Sequence, residues 1–253
     1  MKPTSQRSSN PARDGVPATA MVFAAGLGTR MRPLTERIPK PLVRVAGKAL
    51  IDYTLDALAE AGVTTAVVNV HYLADRIEAH LASRRTPRVV ISDEREILLD
   101  QGGGIKKALP WFEGNPFFVC NTDAFWQGDG GAENLRALAK AWDGARMDVA
   151  LLLAPTEGSV GVDWDGDFEL DAAGRVSQPA GKRRYVYSGV GILKPQLFSG
   201  ITENVFKLAP FFFDAARRER LFGLPAHSLW MHVGAIAAIA EAERAMTQCA
   251  PAP

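Results

Sequence analysis

Two cations and one carboxylate are the residues of this sequence whose surroundings could support chemistry on phosphates. Arg30 follows a short glycine-rich stretch, Lys40 stands between two prolines, and Asp123 comes just after a run of apolar residues. An arginine binds a phosphate through a planar two-point fork, a lysine acts as a point charge, and a carboxylate is the ligand that Mg²⁺ prefers. If the three side chains converge, they could hold a polyphosphate together with a divalent cation.

The glycine-rich stretch before Arg30 follows a predicted buried strand. Residues 21–25 are an uninterrupted apolar run, and Gly26, Gly28 and Thr29 come after it. Glycines in this position allow a tight turn that brings backbone N–H groups close to a phosphate. A strand followed by an ordinary solvated surface loop is the alternative, and two glycines alone would favour it.

The same stretch excludes two common nucleotide-binding patterns. It lacks the G-x-x-x-x-G-K-[ST] sequence of the Walker A loop, and Met31 stands where the dinucleotide pattern G-x-G-x-x-G has its last glycine. Pro39 and Pro41 flank Lys40 and restrict its backbone, so the ammonium group has a defined direction. A phosphate site here would depend on glycines combined with a few directed cations.

Strands and helices alternate through the first half of the sequence. Apolar runs predict strands at 65–70, 88–91, 117–120 and 149–153, and amphipathic spacing predicts helices at 50–61, 73–81 and 133–142. This alternation predicts an α/β fold, Rossmann-like and doubly wound, with a mostly parallel sheet. Ligands of such sheets bind beyond the carboxyl ends of the strands, where both residues 26–30 and Asp123 fall.

The second half has a different pattern. Residues 163–167 are predicted to form the tip of a β-hairpin with strands on either side, and 185–193 a strand. A closing helix is predicted up to residue 246. We expect one domain over residues 19–246, in which 156–246 form a small β-rich lobe.

The composition limits the partners of the chain. Its 253 residues include 29 Lys and Arg against 28 Asp and Glu, so no long-range field attracts nucleic acid or an anionic membrane. No apolar run reaches the roughly 18–20 residues of a membrane span. Cys120 and Cys249 lie far apart, which argues against a disulfide framework and fits a reducing, cytoplasmic compartment. Residues 1–18 are predicted to be a disordered extension, and 247–253 a tail.

The string G-x-G-T-R-M-x-P-x-T…P-K-P, from Gly26 to Pro41, resembles the signature of the sugar-phosphate nucleotidyltransferases. Members of that family join a nucleoside triphosphate to a sugar 1-phosphate and release pyrophosphate. The resemblance implies a nucleotide-binding half at 19–155 and a sugar-phosphate-binding half at 156–246. It also implies that Arg30 stabilises the leaving pyrophosphate and that Lys40 bridges the attacking and attacked phosphates.

Asp123 has two interpretations. A carboxylate after a buried run can cap the next segment through an Asx turn, or it can hold Mg²⁺ against triphosphate oxygens. The local pattern alone does not separate the two. The resemblance favours the metal, because the family has a metal-binding aspartate at this strand end. We therefore expect a Mg²⁺ cofactor, with Mn²⁺ as the alternative ion.

The nucleoside is expected to lie on backbone near the ends of predicted strands. The resemblance implies that Ala24, Ala25, Gly26, Gly28, Thr29 and Gly103 bind the nucleotide, and Asn69, at the end of the second predicted strand, is a further candidate because its amide can hydrogen-bond a ligand. Residues 102–104 are predicted to be a loop before a short helix, whose N-terminus would face a base or ribose. The stretch 101–110 resembles the base loop of uridylyltransferases that act on muramic acid 1-phosphate. UTP and N-acetylmuramic acid 1-phosphate, in cell-wall recycling, are therefore the expected substrates, with guanylyl transfer to mannose 1-phosphate as the alternative.

A basic run in the second half provides candidates for the sugar side. In the family, a cation before the strand that contains Gly189 binds the phosphate of the incoming sugar. Here Arg183 and Arg184 are both candidates for that role, with Gly189 in the same subsite. A short basic run is more often a solvated edge, and the sequence does not choose between the two arginines.

His232 marks a departure from the family pattern. Relatives have W-x-D-[VI]-G-T, whose aspartate is a second metal ligand, where this chain has Trp230-Met231-His232-Val233-Gly234-Ala235. An imidazole is a poor ligand for Mg²⁺ but is accepted by Mn²⁺. His232 is thus a metal ligand, a packing residue, or a sign that the chain binds nucleotide sugars without catalysis.

Overall fold

The structure is a computed structural model that describes residues 15–248. Its strands are β1 (Thr19–Phe23), β2 (Arg44–Val45), β3 (Lys48–Ala49), β4 (Thr65–Val70), β5 (Arg88–Asp93), β6 (Phe117–Asn121), β7 (Ala124–Trp126), β8 (Val149–Pro155), β9 (Glu169–Leu170), β10 (Val176–Ser177), β11 (Tyr185–Leu193), β12 (Leu221–Pro225) and β13 (Trp230–His232). Its α-helices are α1 (Leu50–Ala61), α2 (Ala74–Leu81), α3 (Asp100–Ala108), α4 (Gly130–Ala141), α5 (Ala209–Arg217) and α6 (Ile236–Gln248). Short 3₁₀ helices lie at Thr29–Met31, Leu34–Glu36, Lys40–Leu42, Leu109–Trp111 and Pro195–Phe198.

The central sheet has seven strands in the order β12-β8-β11-β6-β1-β4-β5. The pairs β1–β4, β1–β6, β4–β5 and β8–β12 are parallel, whereas β11 is antiparallel to both of its neighbours. Parallel neighbours require crossover connections, and the helices α1, α2 and α3 provide them in the first half. The predicted fold class, α/β with a mostly parallel sheet, is confirmed.

The pleat of β1 divides the core into two layers. Val22 belongs to the layer that contains Leu55 of α1 and Leu138 of α4, whereas Met21 belongs to the layer that contains Ile105 of α3. Successive side chains of a strand point to opposite faces, so a strand covered on both faces carries a continuous apolar run. The burial of this apolar run holds β1 inside the sheet, and the position of β1 in turn determines where the following loop starts.

The predicted and observed bounds agree for the helix Leu50–Ala61 and for the strands Thr65–Val70 and Tyr185–Leu193. The first strand is Thr19–Phe23 rather than 21–25. Its last paired residue is Phe23, opposite Asn69, so the chain leaves the ladder two residues earlier than predicted and starts the loop at Ala24.

The second half of the chain completes the central sheet. β11 lies between β6 and β8, and β12 forms an edge of the sheet. Outside that sheet, the short strands β9 and β10 pair with each other, and β13 pairs with β7 of the first half. The predicted hairpin tip at 163–167 is wrong, because only an isolated bridge at Val160 precedes that segment. The turn lies instead at 171–175, where the Asp171 carboxylate accepts bonds from two backbone amides.

The two ends of the described chain differ from the prediction. Val16 is 6% exposed and packs in the core, and the Ala18 carbonyl accepts bonds from the amides of Thr64 and Thr65. Residues 15–18 are therefore part of the fold rather than of a disordered extension, and α6 continues to Gln248. The rest of that extension, 1–14, and of the tail, 249–253, lie outside the described residues. Between residues 15 and 248, no helix is long and apolar enough to cross a membrane.

Candidate active site

The loop after β1 turns tightly at Gly28. This residue has a φ of +63°, and a Cβ there would lie 3.0 Å from Thr35 Cγ2 and 3.2 Å from Lys40 Cβ. The Thr35 hydroxyl donates to the Gly28 carbonyl at 2.8 Å, and the Met31 amide donates to the same oxygen at 3.0 Å. Glycine combines a left-handed backbone with the small volume that this position allows. The tight turn expected from the sequence is present here.

Asn69, in β4, fixes the first residue of that loop. Its Oδ1 accepts a 2.8 Å bond from the Ala24 amide, and its Nδ2 donates to Glu94 Oε1 at 2.9 Å. The other carboxylate oxygen of Glu94 accepts from the Leu99 amide at 3.1 Å. Burial raises the pKa of Glu94, although both of these bonds oppose the rise. The Asn69 side chain therefore aligns the loop through bonds within the protein.

An ion pair joins the loop to the segment that follows β6. Lys40 Nζ lies 2.8 Å from Asp123 Oδ2, and the two side chains are 14% and 24% exposed. His232 Nε2 lies 3.6 Å from the same oxygen. Burial alone would raise the pKa of Asp123, but the contact with His232 and the charge of Lys40 outweigh it and hold that pKa well below its usual range. Asp123 is thus ionised, as a ligand for a cation must be.

A cavity of about 590 Å³ lies beyond the carboxyl ends of β1, β4 and β6. We call it the larger cavity, and the predicted site residues that line it are Ala24, Ala25, Gly26, Gly28, Thr29, Arg30, Lys40, Asn69 and Asp123. Within residues 15–248 the Arg30 guanidinium has no hydrogen-bond or ion-pair partner, and the residue is exposed. The volume is in the range of small-molecule and cofactor sites, and the location is the ligand-binding edge of α/β sheets.

A second cavity, of about 380 Å³, adjoins the larger one. Arg30, Asn121 and Asp123 line both. The rest of the second cavity is largely aromatic and is formed by Trp164, Tyr187, Trp230 and His232. Gly189 also lines it, where a Cβ would lie 2.9 Å from Asn121 Cβ. The arrangement can therefore hold two phosphorylated ligands side by side, with Arg30 at the junction.

The family model for nucleotidyl transferases matches residues 19–248 of this chain. The chain belongs to the nucleotidyl transferase family. It is 51% identical to N-acetylmuramate alpha-1-phosphate uridylyltransferase of Caulobacter vibrioides over 224 residues, which are 86% of this chain and 92% of that protein. It is 37% identical to the protein of the same name from Neisseria meningitidis over 229 residues, 88% of this chain and 96% of that protein.

Other matches to this nucleotidyl transferase are partial or concern the fold. Mannose-1-phosphate guanyltransferase beta-B of Xenopus laevis is 35% identical over 108 residues, which are 41% of this chain and 30% of that protein. The crystal structure of HddC from Yersinia pseudotuberculosis has a TM-score of 0.71 at 21% identity, with 90% of this chain and 99% of that chain covered. UDP-glucose pyrophosphorylase complexed with UDP-glucose has a TM-score of 0.71 at 18% identity, with 91% and 98% covered.

The glycine run of this nucleotidyl transferase lies inside a helix. Residues 102–104 belong to α3, which begins at Asp100, and Gly103 lines neither cavity. A Cβ at Gly102 would overlap the Phe206 ring, and one at Gly103 would overlap the Asn204 carbonyl. The prediction that these glycines form a loop is therefore wrong, and the contact of Gly103 with the nucleoside stays a prediction. Their small size allows α3 to pack closely against residues 204–206.

Neither arginine that was predicted to bind the sugar phosphate lines either cavity. Arg183 donates through Nε to the Gly166 carbonyl and through Nη1 to the Pro179 carbonyl, both at 2.9 Å. Arg184 Nε pairs with Glu169 Oε2 at 2.6 Å on the exposed surface. Both guanidinium groups thus bond to neighbouring segments of their own loop in this structure, and the role of either arginine in binding the sugar phosphate stays a prediction. Of the three residues predicted for the sugar phosphate, Gly189 lines the second cavity.

Asp123 and His232 are the predicted metal ligands, and the structure brings them together. Within residues 15–248, no group of three or more His, Cys, Asp and Glu side chains could hold a metal ion. His232 Nδ1 lies 3.3 Å from the Gly161 carbonyl, and the imidazole stacks on Trp230. One carboxylate and one imidazole suit an ion whose remaining ligands are phosphate oxygens and water.

Leu98, Asp100, Gln101 and Val205 are among the residues that line the larger cavity without having been predicted as site residues. Asp100 has a φ of +60°, which is uncommon for a residue with a side chain, and Gln101 Nε2 donates to Asn121 Oδ1 at 3.0 Å. Both directly precede the glycine run, so their position was an available signal. Val205 had no such signal, because only tertiary packing brings it to the cavity.

Proposed function

We propose that this chain transfers the uridylyl group of UTP to N-acetylmuramic acid α-1-phosphate, which gives the UDP-sugar and pyrophosphate. The convergence of Arg30, Lys40 and Asp123 on one cavity, joined to a second aromatic cavity, carries this proposal. The two relatives that bear this activity in their names align with 92% and 96% of their own lengths. Guanylyl transfer to mannose 1-phosphate has weaker support, because the match to mannose-1-phosphate guanyltransferase beta-B covers only 41% of this chain.

The reaction forms one bond and breaks one bond at the α-phosphorus of UTP. A phosphate oxygen of the sugar 1-phosphate attacks in line, and the bond from the α-phosphorus to the oxygen shared with the β-phosphate breaks. That oxygen leaves as part of pyrophosphate, so no covalent intermediate with the protein is needed. Catalysis consists mainly of positioning and of neutralising charge.

The cations have separate roles in this scheme. Lys40 bridges the attacking and attacked phosphates, since its ammonium group is held at the junction of the loop and the β6 end. Arg30 stabilises the charge that develops on pyrophosphate, and its guanidinium has no competing partner in residues 15–248. The backbone of residues 24–29 seats the triphosphate, because glycine leaves its N–H groups accessible.

Asp123 holds Mg²⁺ in this proposal, with Mn²⁺ as the alternative. The ion neutralises charge on the phosphate oxygens when it is bound. The ionised Asp123 carboxylate is a suitable ligand, and nucleotide oxygens and water would supply the rest of the shell. His232 is the second protein group near that position, and its imidazole suits Mn²⁺ better than Mg²⁺.

The second cavity takes the sugar 1-phosphate. Trp164 provides a flat, partly exposed apolar surface for a sugar ring, and the missing Cβ of Gly189 allows Asn121 to pack closely against the backbone there. Arg30 lines both cavities and can therefore contact phosphates from either ligand. We place the reaction in cytoplasmic cell-wall recycling, because N-acetylmuramic acid is a cell-wall sugar and Cys120 is a buried free thiol, as in a reducing compartment.

Pyrophosphate release, assayed over a panel of triphosphates and sugar 1-phosphates with Mg²⁺ and then Mn²⁺, tests the proposal. UTP with N-acetylmuramic acid α-1-phosphate should be the fastest pair. Faster release with GTP and mannose 1-phosphate would replace uridylyl transfer by guanylyl transfer. If no pair releases pyrophosphate but UTP binding is measurable, the chain would be a nucleotide-sugar binder without catalysis.

A further inference from the structure

One exposed apolar residue lines the larger cavity, and two more are sequence neighbours of lining residues. Among residues 15–248, the large hydrophobic side chains that remain exposed are Leu27, Ile97, Trp111, Val205 and Ile236. Val205 lines the cavity and is 49% exposed, and Leu27 and Ile97 are direct sequence neighbours of lining residues. Exposed apolar groups that gather at one cavity indicate a surface that a ligand covers.

Lys106 holds the segment that carries Val205. Its ammonium group donates to the carbonyls of Thr202 and Glu203, at 3.1 and 2.7 Å, and to Asn204 Oδ1 at 3.1 Å. These three acceptors belong to consecutive residues immediately before Val205. One helix residue therefore ties the whole approach of the segment to α3.

The glycine run of α3 holds the other side of Val205. The amides of Gly102 and Gly103 donate to the Phe206 carbonyl at 3.0 and 3.2 Å, and the Phe206 amide donates to the Leu99 carbonyl at 3.3 Å. Close packing is possible because Cβ atoms at Gly102 and Gly103 would overlap residues 204–206. Val205 is thus fixed between two anchored neighbours, with its side chain at the cavity.

We propose that residues 202–206 form a nucleobase clamp, in which Val205 packs against a face of the base and Leu98 extends the same apolar wall. The inference deepens the proposed function and depends on a nucleotide in the larger cavity. The loop, Lys40 and Asp123 offer polar groups for the phosphates, whereas Leu98 and Val205 offer apolar contact for a flat base. Lys106 is a positioning residue, since it acts on the base only through the segment that it holds.

Calorimetric binding of UTP and of inorganic tripolyphosphate tests the clamp, because tripolyphosphate has the phosphates without a base. Val205→Ala should weaken UTP binding about fivefold, as expected for lost methyl contacts, and leave tripolyphosphate binding unchanged. Lys106→Met should weaken UTP binding in the same direction. The matched control is Lys107→Met on the same helix, whose ammonium group donates to the Asp93 carbonyl instead, and it should bind UTP as the wild type does.

Kinetics separate the clamp from a general structural effect. Val205→Ala and Lys106→Met should raise KM for UTP while kcat and KM for the sugar phosphate stay unchanged, and Val205→Ala should also leave the thermal midpoint unchanged. Wild-type affinity for UTP in both variants would overturn the clamp, even if turnover supports the proposed function. A wild type that binds UTP without turnover would overturn the proposed function alone, and the binding data would still decide the clamp. A wild type that does not bind UTP would overturn both.

Discussion

Opposite kinds of contact hold two regions of the molecule: the part of the larger cavity around Gly28, Lys40 and Asp123, which we call the phosphate end, and residues 156–184 beside the second cavity. At the phosphate end, Gly28 is held by Thr35, Ala24 by Asn69 and Lys40 by Asp123, and the last two bonds involve residues at or just beyond the carboxyl ends of β1, β4 and β6. Residues 156–184 contain two strands of two residues each, and Arg183 and Arg184 bond to other residues of the same segment. In the proposed reaction the phosphates would thus meet the edge of the central sheet, whereas Trp164 would reach the sugar from a loop whose arginines Arg183 and Arg184 bond within it.

The contrast between these two regions shows where in a fold a sequence motif can locate function. A group at the end of a parallel strand is carried to the ligand edge by the topology, whatever the details of side-chain packing. A group in a long loop is placed by the acceptors that surround it, and these come from several parts of the chain. We therefore expect substitutions at the phosphate end to change turnover strongly, and those in 156–184 to change substrate affinity selectively.

Asp123→Asn should have the largest effect. It removes the carboxylate that pairs with Lys40 and that would hold the divalent ion, so kcat should fall about 10³-fold or more. Titration of Mg²⁺ and Mn²⁺ in the turnover assay, with circular dichroism to confirm folding, measures this loss. Normal turnover with an unchanged dependence on the ion would remove Asp123 from the site.

Lys40→Met should lower kcat about 10²- to 10³-fold, because it removes a fixed positive charge at the reacting phosphates while keeping the length of the side chain. Lys48→Met is the matched control. Lys48 pairs with Asp56 at 2.7 Å and lines neither the larger nor the second cavity, so its removal should leave kcat unchanged. Equal kcat values for Lys40→Met and Lys48→Met would show that Lys40 has no special role at the phosphate end.

Trp164→Ala should raise KM for the sugar phosphate about tenfold and leave KM for UTP unchanged, since Trp164 lines only the second of the two cavities. Arg183→Ala and Arg184→Ala are the controls from the same loop. Both should stay within about twofold of the wild type, because their guanidinium groups bond to Gly166, Pro179 and Glu169. A larger rise for either arginine than for Trp164 would restore the sugar-phosphate role expected from the sequence.

Much of the fold and the phosphate end could be predicted from the sequence. Apolar periodicity located the helix Leu50–Ala61 and the strands Thr65–Val70 and Tyr185–Leu193, because their burial depends on local pattern. Arg30 and Asp123 could be placed together because each follows a strand of one parallel sheet. No exact side-chain geometry was needed for either inference.

The remaining site residues depend on contacts between distant parts of the chain. A run of three glycines is compatible with a loop or with a closely packed helix, and the partner that decides is Phe206. The direction of Arg183 is likewise set by the Gly166 and Pro179 carbonyls, which only the folded loop supplies. Val205 carries no motif at all and reaches the cavity because Lys106 and the glycines hold its neighbours.

Glu94→Gln should have the smallest effect, and it tests how firmly the phosphate end is anchored beneath the loop. Burial raises the pKa of Glu94 above its usual 4.5, so the folded protein binds this proton more tightly than the unfolded chain does. Its contribution to the free energy of unfolding is therefore fully present below pH 4.5 and is lost as pH rises through the raised pKa. The size is at most about 1.4 kcal/mol for each unit of pKa shift.

Urea unfolding of both proteins from pH 4.5 to about 8 measures this contribution. Glutamine does not titrate, so altered bonds to Asn69 and Leu99 add only a constant, and the variant should gain stability relative to the wild type as pH rises. Asp123 and Asp148 do not disturb this window, because their pKa values are lowered and their contributions are lost only below about 3.8. A difference that stays flat with pH would mean that Glu94 titrates as an ordinary carboxyl, and that the link from Asn69 to Leu99 is open to water. The phosphate end would then lack a buried anchor beneath its loop, and the contrast between the two regions would lose its physical basis.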